Sequence, residues 1–370
     1  MSVSIIDTEK NFSTELYRLK PGDFDIKEPY FRPSKSAPTE SNTKKRRKRN
    51  EPKQADIDTQ KRHEELKPFL TACLAMLKWE TKEILLHNKE EEDTIKEAID
   101  FPTIQAMVQS AHLKFDQQDE EEEAPYHFET DCCKELDIFQ IFNRVYINPT
   151  KKITLLEFNK DATYLLPPRS TFLMGSMQDS LKQLGSYVHS IGGADLIVMD
   201  PPWPNKSVYR SSQYGCQDIY DLFSIPIPDM LTPDSVVAIW VTNKPKFRHF
   251  ILDKLLPAWK LKCVAEWIWL KVTVKGECVF PLDSSHKKPY EQLIIAKPVE
   301  SESTIPKQHM MVSIPSKRHS RKPPLHDLLT KYVKKDPVCV ELFARCLLPG
   351  WISWGNECLK FQQLDYFEKG

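Results

Sequence analysis

Four consecutive residues could position an amine for chemistry: Asp200-Pro201-Pro202-Trp203, directly after the apolar run 196–199. Each proline fixes its own φ angle, lacks a backbone N–H and forces the preceding residue into an extended conformation. The corner is therefore rigid, and it offers a carboxylate, backbone carbonyls and an aromatic ring with few competing donors. Such a set suits a planar ligand with an NH₂ group, and the exocyclic amine of adenine carries two donor protons.

We expect the Asp200 carboxylate and a proline carbonyl to accept one amine proton each, which would turn the nitrogen lone pair out of the ring and toward an electrophile. Trp203 would stack on the base, worth roughly 1–3 kcal/mol. A nucleotide must leave its helix, or be single-stranded, to enter such a corner. The alternative interpretation is a stiff turn with a packed tryptophan, but the apolar strand before the motif favours the functional one.

The elements that must position this corner alternate between strands and helices. Short apolar runs predict buried strands. They lie at 154–158, 162–166, 170–174, 196–199, 236–241, 265–274, 293–296 and 338–343, and helices are predicted at 217–224, 245–256 and 323–333. This alternation predicts an α/β fold with a doubly wound, mainly parallel sheet, whose ligands bind at the carboxyl ends of the strands.

The corner resembles the hallmark of the adenine-N6 methyltransferases, and the similarity extends over residues 150–370. The further strings that carry it are Trp240-Val241-Thr242-Asn243, 281–291, Lys322-Pro323-Pro324-Leu325, Glu341-Leu342-Phe343-Ala344-Arg345 and 349–357. Other strings resemble a stand-alone branch of that family. They are 24–33, Tyr164-Leu165-Leu166-Pro167-Pro168, 286–291 and the ending through Asp365-Tyr366-Phe367.

The resemblance implies S-adenosylmethionine as methyl donor and a class I, Rossmann-like methyltransferase sheet with a permuted order, in which the target-base motif precedes the cofactor motif. The chain has this order, since Asp200 precedes Arg345. The resemblance gives residues 200–203 the catalytic role and Asp200 a place beside the donor. Lys322 would hold the carboxylate of the donor, and Arg345 and Asn356 would contact its ribose, with Glu357 beside them.

Each of these cofactor contacts has an alternative. Lys322 could be one solvated charge among several, Arg345 could pair with Glu341, and Asn356 could cap a turn. The role of Glu357 is left undecided, because relatives often carry an amide at this position.

Two departures from the family pattern concern the donor. Ser176 and Met177 stand where relatives place an acidic residue beside the adenine ring of the donor, so we expect a hydroxyl and a packing contact instead. The stretch 345–351 is shorter than in the family member that methylates adenosine in messenger RNA. Two residues that bind the methyl donor in that enzyme have no clear match here.

Polar residues after the corner and before a later strand are candidate substrate contacts. They are Asn205, Lys206, Ser207 and Arg210 in the first group, and His286, Lys288, Tyr290 and Glu291 in the second. The basic residues would bind phosphate. The alternatives are a loop that orders only when substrate binds, and exposed lysines that serve solubility.

The composition divides the chain into three parts. Residues 1–57 are polar and predict a largely disordered arm whose removal spares chemistry, although 24–31 could dock on the folded body. The basic run 44–49 indicates a nuclear localisation signal or a plain basic tail. For residues 58–150 we predict a smaller helical N-terminal domain with an acidic linker. For residues 151–370 we predict the methyltransferase domain.

The charge and the cysteines exclude some function classes. The 370 residues carry 52 basic and 52 acidic side chains, so the whole-chain charge does not indicate a nucleic-acid binder. The chain start lacks a secretory signal, and no apolar run is long enough for a membrane helix. Nine scattered cysteines show no metal spacing, and we therefore expect reduced thiols, no metal site and no membrane contact.

We expect an enzyme that methylates N6 of adenosine in RNA, with 2′-O-methyladenosine in small nuclear RNA as the favoured target and DNA as the second. It would act in the nucleus, with the cytoplasm left open, and without an obligate partner subunit. Two other classes remain. Intact Asp200 and Trp203 disfavour an inactive RNA-binding scaffold, and Asp200 together with the motif order disfavours a methyltransferase for protein amides.

Overall fold

The computed structural model describes residues 2–30, 54–80, 99–112, 123–128, 134–158, 162–204, 218–284, 287–318 and 321–370. The helices in these ranges are α1 (Thr8–Phe12), α2 (Gln54–Glu80), α3 (Phe101–His112), α4 (Met177–Ser190), α5 (Ile227–Met230), α6 (Pro245–Phe250), α7 (Leu256–Ala258) and α8 (His326–Leu329). A π-helical turn, Ile251–Leu255, joins α6 to α7. Short 3-10 helices are Pro21–Phe24, Ile138–Gln140, Ile219–Ser224, Thr330–Tyr332 and Leu364–Tyr366.

Sixteen strands are described. They are β1 (Val3–Ile5), β2 (Tyr17–Leu19), β3 (Tyr126–His127), β4 (Lys134–Leu136), β5 (Val145–Ile147), β6 (Thr154–Phe158), β7 (Ala162–Leu166), β8 (Thr171–Met174), β9 (Ala194–Met199), β10 (Leu231–Val241), β11 (Leu261–Lys271), β12 (Tyr290–Pro298), β13 (Met310–Ser313), β14 (Cys339–Leu342), β15 (Trp351–Gly355) and β16 (Phe367–Lys369).

Eleven of these strands form one sheet, in the order β1-β13-β11-β12-β10-β9-β14-β15-β8-β5-β3. The five neighbours β10, β9, β14, β15 and β8 run parallel, and β12 is antiparallel between β10 and β11. The carboxyl ends of the five strands and the amino end of β12 therefore meet along one edge. This architecture confirms the predicted α/β fold with a mainly parallel sheet, and we call this edge the site edge.

Burial on both faces holds the central strands in place. All six residues of β9 are buried, and so are the last seven of β10. One apolar cluster packs them under α4, α5 and α6, and another packs the opposite face under the start and the end of the chain. Strands covered on both faces read as continuous apolar runs, which is why the sequence predicted them.

The start of the chain differs from the disordered arm that its composition predicted. Residues 2–30, which we call the N-terminal segment, add β1 beside β13 and pair β2 with β16. Ile6, Phe12, Leu19, Phe24 and Ile26 are each less than a tenth exposed. The prediction is therefore wrong for this segment, because five buried apolar side chains offset the entropy of ordering it. The basic run 44–49 lies outside the described residues.

The region 58–150 does not form a domain apart from the sheet. Helix α2 packs Leu66, Leu70 and Leu77 onto β11, β12 and β13, and β5 pairs with β8 across the expected boundary at 150. The acidic stretch 119–122 lies outside the described residues. None of the described helices is long and apolar enough to cross a membrane.

Candidate active site

The corner begins where β9 ends at the site edge, as predicted. The Asp200 N–H donates to the carbonyl of Leu342 at 3.4 Å, which joins the end of β9 to the end of β14. The Trp203 N–H donates to the carbonyl of Pro201 at 2.8 Å. The two prolines lack an N–H, and the N–H groups of Asp200 and Trp203 are already bonded, so the corner presents mainly acceptors. Pro201 is buried and Pro202 is exposed.

Trp203 does not present an open ring face. Its side chain is 8% exposed, packs on Phe247 with ring centroids 5.0 Å apart, and donates from Nε1 to the carbonyl of Trp240 at 2.9 Å. A base that stacked on it would have to displace this packing. The arrangement therefore does not support the predicted stacking role, and it gives Trp203 the task of fixing the corner against β10 and α6.

Lys322 lies between two carboxylates of the site edge. Its Nζ atom is 3.1 Å from Oδ2 of Asp200 and 2.9 Å from Oε2 of Glu291. Lys271 forms a second ion pair with Glu291. Burial alone would raise the pKa of Glu291, but Lys322 and then Lys271 outweigh it and lower that pKa to about 2. Lys322 is therefore held in the site and is not one solvated charge among several.

Arg345 and Glu357 form a second ion pair beside Asp200. The Nε atom of Arg345 is 3.2 Å from Oε2 of Glu357, and its Nη1 atom is 3.8 Å from Oδ2 of Asp200. Lys360 also binds Glu357, at 2.6 Å. Arg345 thus forms ion pairs with Glu357 and Asp200, and its charge also acts on Glu341, the partner that the alternative named. Asn356 is exposed at the end of β15.

Backbone approaches backbone where β14 and β15 end. A Cβ atom on Gly355 would lie 3.1 Å from the nitrogen and the oxygen of Ala344, which is tighter than ordinary contact. Phe343 has a φ of 61°, a left-handed conformation that is costly for a non-glycine residue. Strain of this kind persists only where the surrounding structure fixes it, and here it leads the chain from β14 into Arg345.

Glu341 is a carboxyl group to which the sequence analysis assigned no role beyond a possible pairing with Arg345. It lies in β14 beside Ser353 of β15, whose buried hydroxyl has no hydrogen-bond partner in the described part of the chain. Burial, and next the charge of Asp200, raise the pKa of Glu341 to about 8 against the opposing effect of Arg345. A carboxyl inside an otherwise apolar strand was the available signal.

The loop after β8 is built differently from the expectation. The Ser176 hydroxyl caps α4, since it accepts the N–H of Asp179 at 3.3 Å and lies 2.7 Å from Oδ2 of the same residue. Gln109 of α3 also bonds this hydroxyl, at 3.2 Å. Met177 is buried in the cluster under α4. Both residues therefore already have structural partners, which weakens their predicted cofactor roles.

The predicted substrate residues separate into four groups. Glu291 lies at the site edge, as described. Tyr290 points to the other face of the sheet, where it is 3% exposed and its hydroxyl lies 3.1 Å from Nδ1 of His63, so it is not a substrate contact. Lys288 lies beside Gln60 of α2, at 3.4 Å. The remaining candidates, Asn205, Lys206, Ser207, Arg210 and His286, lie outside the described residues.

Lys271 is a site-edge residue that the sequence analysis missed. It ends β11 within the stretch 265–274, which was predicted as one strand. A lysine within that run was the signal, because a charge in a buried strand needs a partner. Glu291 on the neighbouring strand β12 is that partner.

The donor set can be compared with the chemistry of S-adenosylmethionine. That molecule has a carboxylate, an ammonium, a sulfonium and two ribose hydroxyls. Lys322 supplies a cation for the first, Asp200 an anion for the positive groups, and Asn356 and Glu357 acceptors beside a tight backbone approach. The residues at this edge therefore fit the group, with the adenine contact at Ser176 as the weakest part.

Comparison with known proteins agrees with this geometry. Residues 194–357 match the MT-A70 family model. The human protein named N(6)-adenine-specific methyltransferase METTL4 is 45% identical over 229 residues, which cover 59% of this chain and 47% of that protein. N6-methyladenosine RNA methyltransferase MTA1 of Pyricularia oryzae is 39% identical over 219 residues, 55% of this chain and 57% of that protein.

A third relative carries a different substrate in its name. The DNA N6-methyl methyltransferase of Caenorhabditis elegans is 36% identical over 216 residues, which cover 57% of this chain and 58% of that protein. The match thus spans about half the length of the curated relatives. The sequence strings resemble the branch of methyltransferase-like protein 4, and its mouse member is 44% identical to this chain over 231 residues. Residues 194–357 are therefore similar to the MT-A70 family, whose model they match, and the sheet that contains them has the class I, Rossmann-like methyltransferase architecture.

Proposed function

We propose that this chain is an S-adenosylmethionine-dependent methyltransferase that acts on the N6 amine of adenosine in nucleic acid. The observation that carries the proposal is the composition of the site edge. An acceptor-rich corner at Asp200 lies within an ion-pair distance of Lys322 and close to Arg345. The family of residues 194–357 supports the same activity.

The residues of the chain have distinct tasks in this reaction. Asp200 and the carbonyl of exposed Pro202 accept the two protons of the amine, which orients the nitrogen lone pair. Trp203 holds the corner rigid from behind through its bond to Trp240. Lys322 binds the carboxylate of the donor, and its pKa, raised by Glu291 and Asp200 against the effect of burial, keeps it charged.

The donor supplies an electrophilic methyl group on a sulfonium, so that positioning accounts for much of the rate. The amine needs no strong base before transfer, because its proton becomes acidic once the nitrogen is alkylated. Asp200 or water then accepts that proton late in the reaction. The target nucleotide reaches the corner from single-stranded substrate or after leaving its helix.

We propose RNA as the substrate, with adenosine that carries a 2′-O-methyl in small nuclear RNA as the specific target. Support comes from the branch that the sequence strings resemble. DNA is the second candidate, because one relative is named a DNA N6-methyl methyltransferase. We further propose that the chain acts in the nucleus, on the basis of the run 44–49. We also propose that it needs no obligate partner subunit, because its sequence strings resemble a stand-alone branch.

The deciding experiment is nucleoside mass spectrometry after incubation with isotopically labelled donor. Four matched oligonucleotides, RNA and DNA with and without 2′-O-methyladenosine, would compete in pairs. We expect labelled N6-methylated nucleoside from the RNA pair, and more from the 2′-O-methylated strand. Labelled product from DNA alone would replace the RNA proposal, and the absence of product from all four strands would overturn the activity.

A further inference from the structure

Lys322 belongs to a segment that the start of the chain grips directly. The Asp23 carboxylate is 2.9 Å from Nε of Arg318 and 3.2 Å from Nη1 of Arg321. The carbonyl of Asp23 also accepts the N–H of Lys317, at 2.7 Å. One residue of the N-terminal segment thus makes three contacts within the six residues that end at Lys322.

Arg321 is buried in a manner that makes Asp23 important. Its side chain is fully buried, and its guanidinium lies over three aromatic rings at 4.4 to 5.4 Å. Phe12 and Phe24 come from the N-terminal segment, and Phe361 from the end of the chain. The Nε and Nη2 atoms of Arg321 have no hydrogen-bond partner in the described residues. Asp23 is therefore the carboxylate that compensates a buried cation, and its loss would leave that charge unpaired.

Arg321 and Lys322 are consecutive but point to different places. Arg321 contacts the N-terminal segment, whereas Lys322 contacts Asp200 and Glu291. Pro323 restricts Lys322 to an extended backbone, in which successive side chains point in opposite directions. Fixing the guanidinium on one side therefore fixes where the ammonium lies on the other.

We propose that Asp23 is a positioning residue for the methyl donor, which acts through Arg321 to place the Lys322 ammonium. The inference rests on the proposed function of Lys322 as the ligand of the donor carboxylate. It makes the N-terminal segment part of the donor site, although that segment is far from the motif in sequence. A truncation that removes residues 1–57 then impairs donor binding, contrary to the expectation from composition.

The test separates a positioning role from a merely structural one with two ligands. S-adenosylhomocysteine carries the carboxylate that Lys322 would bind, and 5′-methylthioadenosine lacks it. For Asp23→Asn in the full chain, calorimetry should give a Kd for S-adenosylhomocysteine that is raised roughly tenfold. The Kd for 5′-methylthioadenosine should not change. Equal weakening of both ligands, or of neither, would overturn the proposal.

A double-variant cycle tests whether Asp23 acts through the lysine. Lys322→Met should weaken S-adenosylhomocysteine selectively, and adding Asp23→Asn should weaken it no further. Additive losses would mean that Asp23 acts by another route. Selective loss in Lys322→Met with no loss in Asp23→Asn would overturn only this inference. Failure of the wild-type chain to bind either ligand would overturn the proposed function and this inference with it.

Controls within the same segment keep the result interpretable. Asp25→Asn is the matched control, because that carboxylate pairs with Lys27 and, among the described residues, has no ion pair with the segment of Lys322; it should bind like the wild type. Asp23→Glu restores the charge and should recover most of the affinity. If Asp23→Asn fails to fold, Arg318→Gln removes one contact of Asp23 at a partly exposed side chain. It should show the same selective loss at roughly threefold, and unchanged affinity would overturn the proposal.

Discussion

Two glutamates at opposite sides of Asp200 show how neighbouring charges determine the state of a buried carboxyl group. Glu291 lies on β12 between Lys322 and Lys271, and its pKa is lowered to about 2. Glu341 lies on β14 beside a buried hydroxyl, and its pKa is raised to about 8. Burial acts on both in the same direction, so the difference comes from the neighbouring charges: two lysines lower the pKa of Glu291, whereas the Asp200 carboxylate raises that of Glu341 against the effect of Arg345.

The two groups have opposite effects on stability as the pH changes. Glu291, with a lowered folded pKa, stabilises the protein above pH 4.5 and loses that contribution as the pH falls toward 2. Glu341, with a raised folded pKa, stabilises it below pH 4.5 and loses that contribution as the pH rises from 4.5 to 8. The Glu291 carboxyl on β12 is therefore charged at neutral pH, whereas the Glu341 carboxyl on β14 is largely protonated.

The largest effect is expected for Asp200→Ala, which removes the carboxylate that lies between the two sides. Methyl transfer should fall at least about 10³-fold in single-turnover assays, because nothing else at the corner carries the negative charge that orients the amine. Binding of S-adenosylhomocysteine should weaken far less than transfer: the ammonium of the ligand loses one anion, but Lys322 keeps Glu291 and stays in place for the carboxylate. The pKa of Glu341 should fall as well. Retained activity, or a variant that does not fold, would contradict the role.

Lys322→Met should make the charge environment of Glu291 on β12 more similar to that of Glu341 on β14. With only Lys271 left, the pKa of Glu291 should rise, and affinity for S-adenosylhomocysteine should fall by roughly one to two orders of magnitude. Calorimetry across pH 3 to 8 measures both. Lys360→Met is the matched control, since that partly exposed lysine pairs with Glu357 and not with Glu291. A comparable loss in the control would show that net charge alone is responsible.

Glu341→Gln should remove the decline in stability between pH 4.5 and 8. At pH 8.5 the variant should be more stable than the wild type by on the order of 1–3 kcal/mol, because no charge is then buried. At pH 4.5 the two should be nearly equal. Urea denaturation at several pH values measures this difference, and parallel curves for the two proteins would exclude a raised pKa for Glu341.

Ser176→Ala sharpens the comparison as an uncharged change at the same edge. Loss of the α4 cap should cost about 1 kcal/mol, with no change in the pH dependence of stability. Affinity for S-adenosylhomocysteine should stay within about twofold, because the hydroxyl already serves α4 and Gln109. A tenfold loss of affinity would restore the predicted contact with the adenine of the donor.

The sequence by itself determined the sheet and the corner. The runs at 196–199 and 236–241 predicted β9 and β10, because a strand buried on both faces must be apolar along its length. Asp200 follows such a strand, so its place at the carboxyl edge followed from the fold class. The charges of Lys322 and Arg345 were identifiable from the family strings.

Only the tertiary structure decided which groups surround that corner. The face of the sheet to which Tyr290 and Glu291 each point depends on the register of β12, since a shift by one residue would move each side chain to the opposite face. The packing of Trp203 on Phe247 and the grip of Asp23 on Arg321 join residues that lie 44 and 298 positions apart. Contacts between residues so far apart leave no local pattern, because they arise when separate elements pack to bury apolar surface and pair their charges.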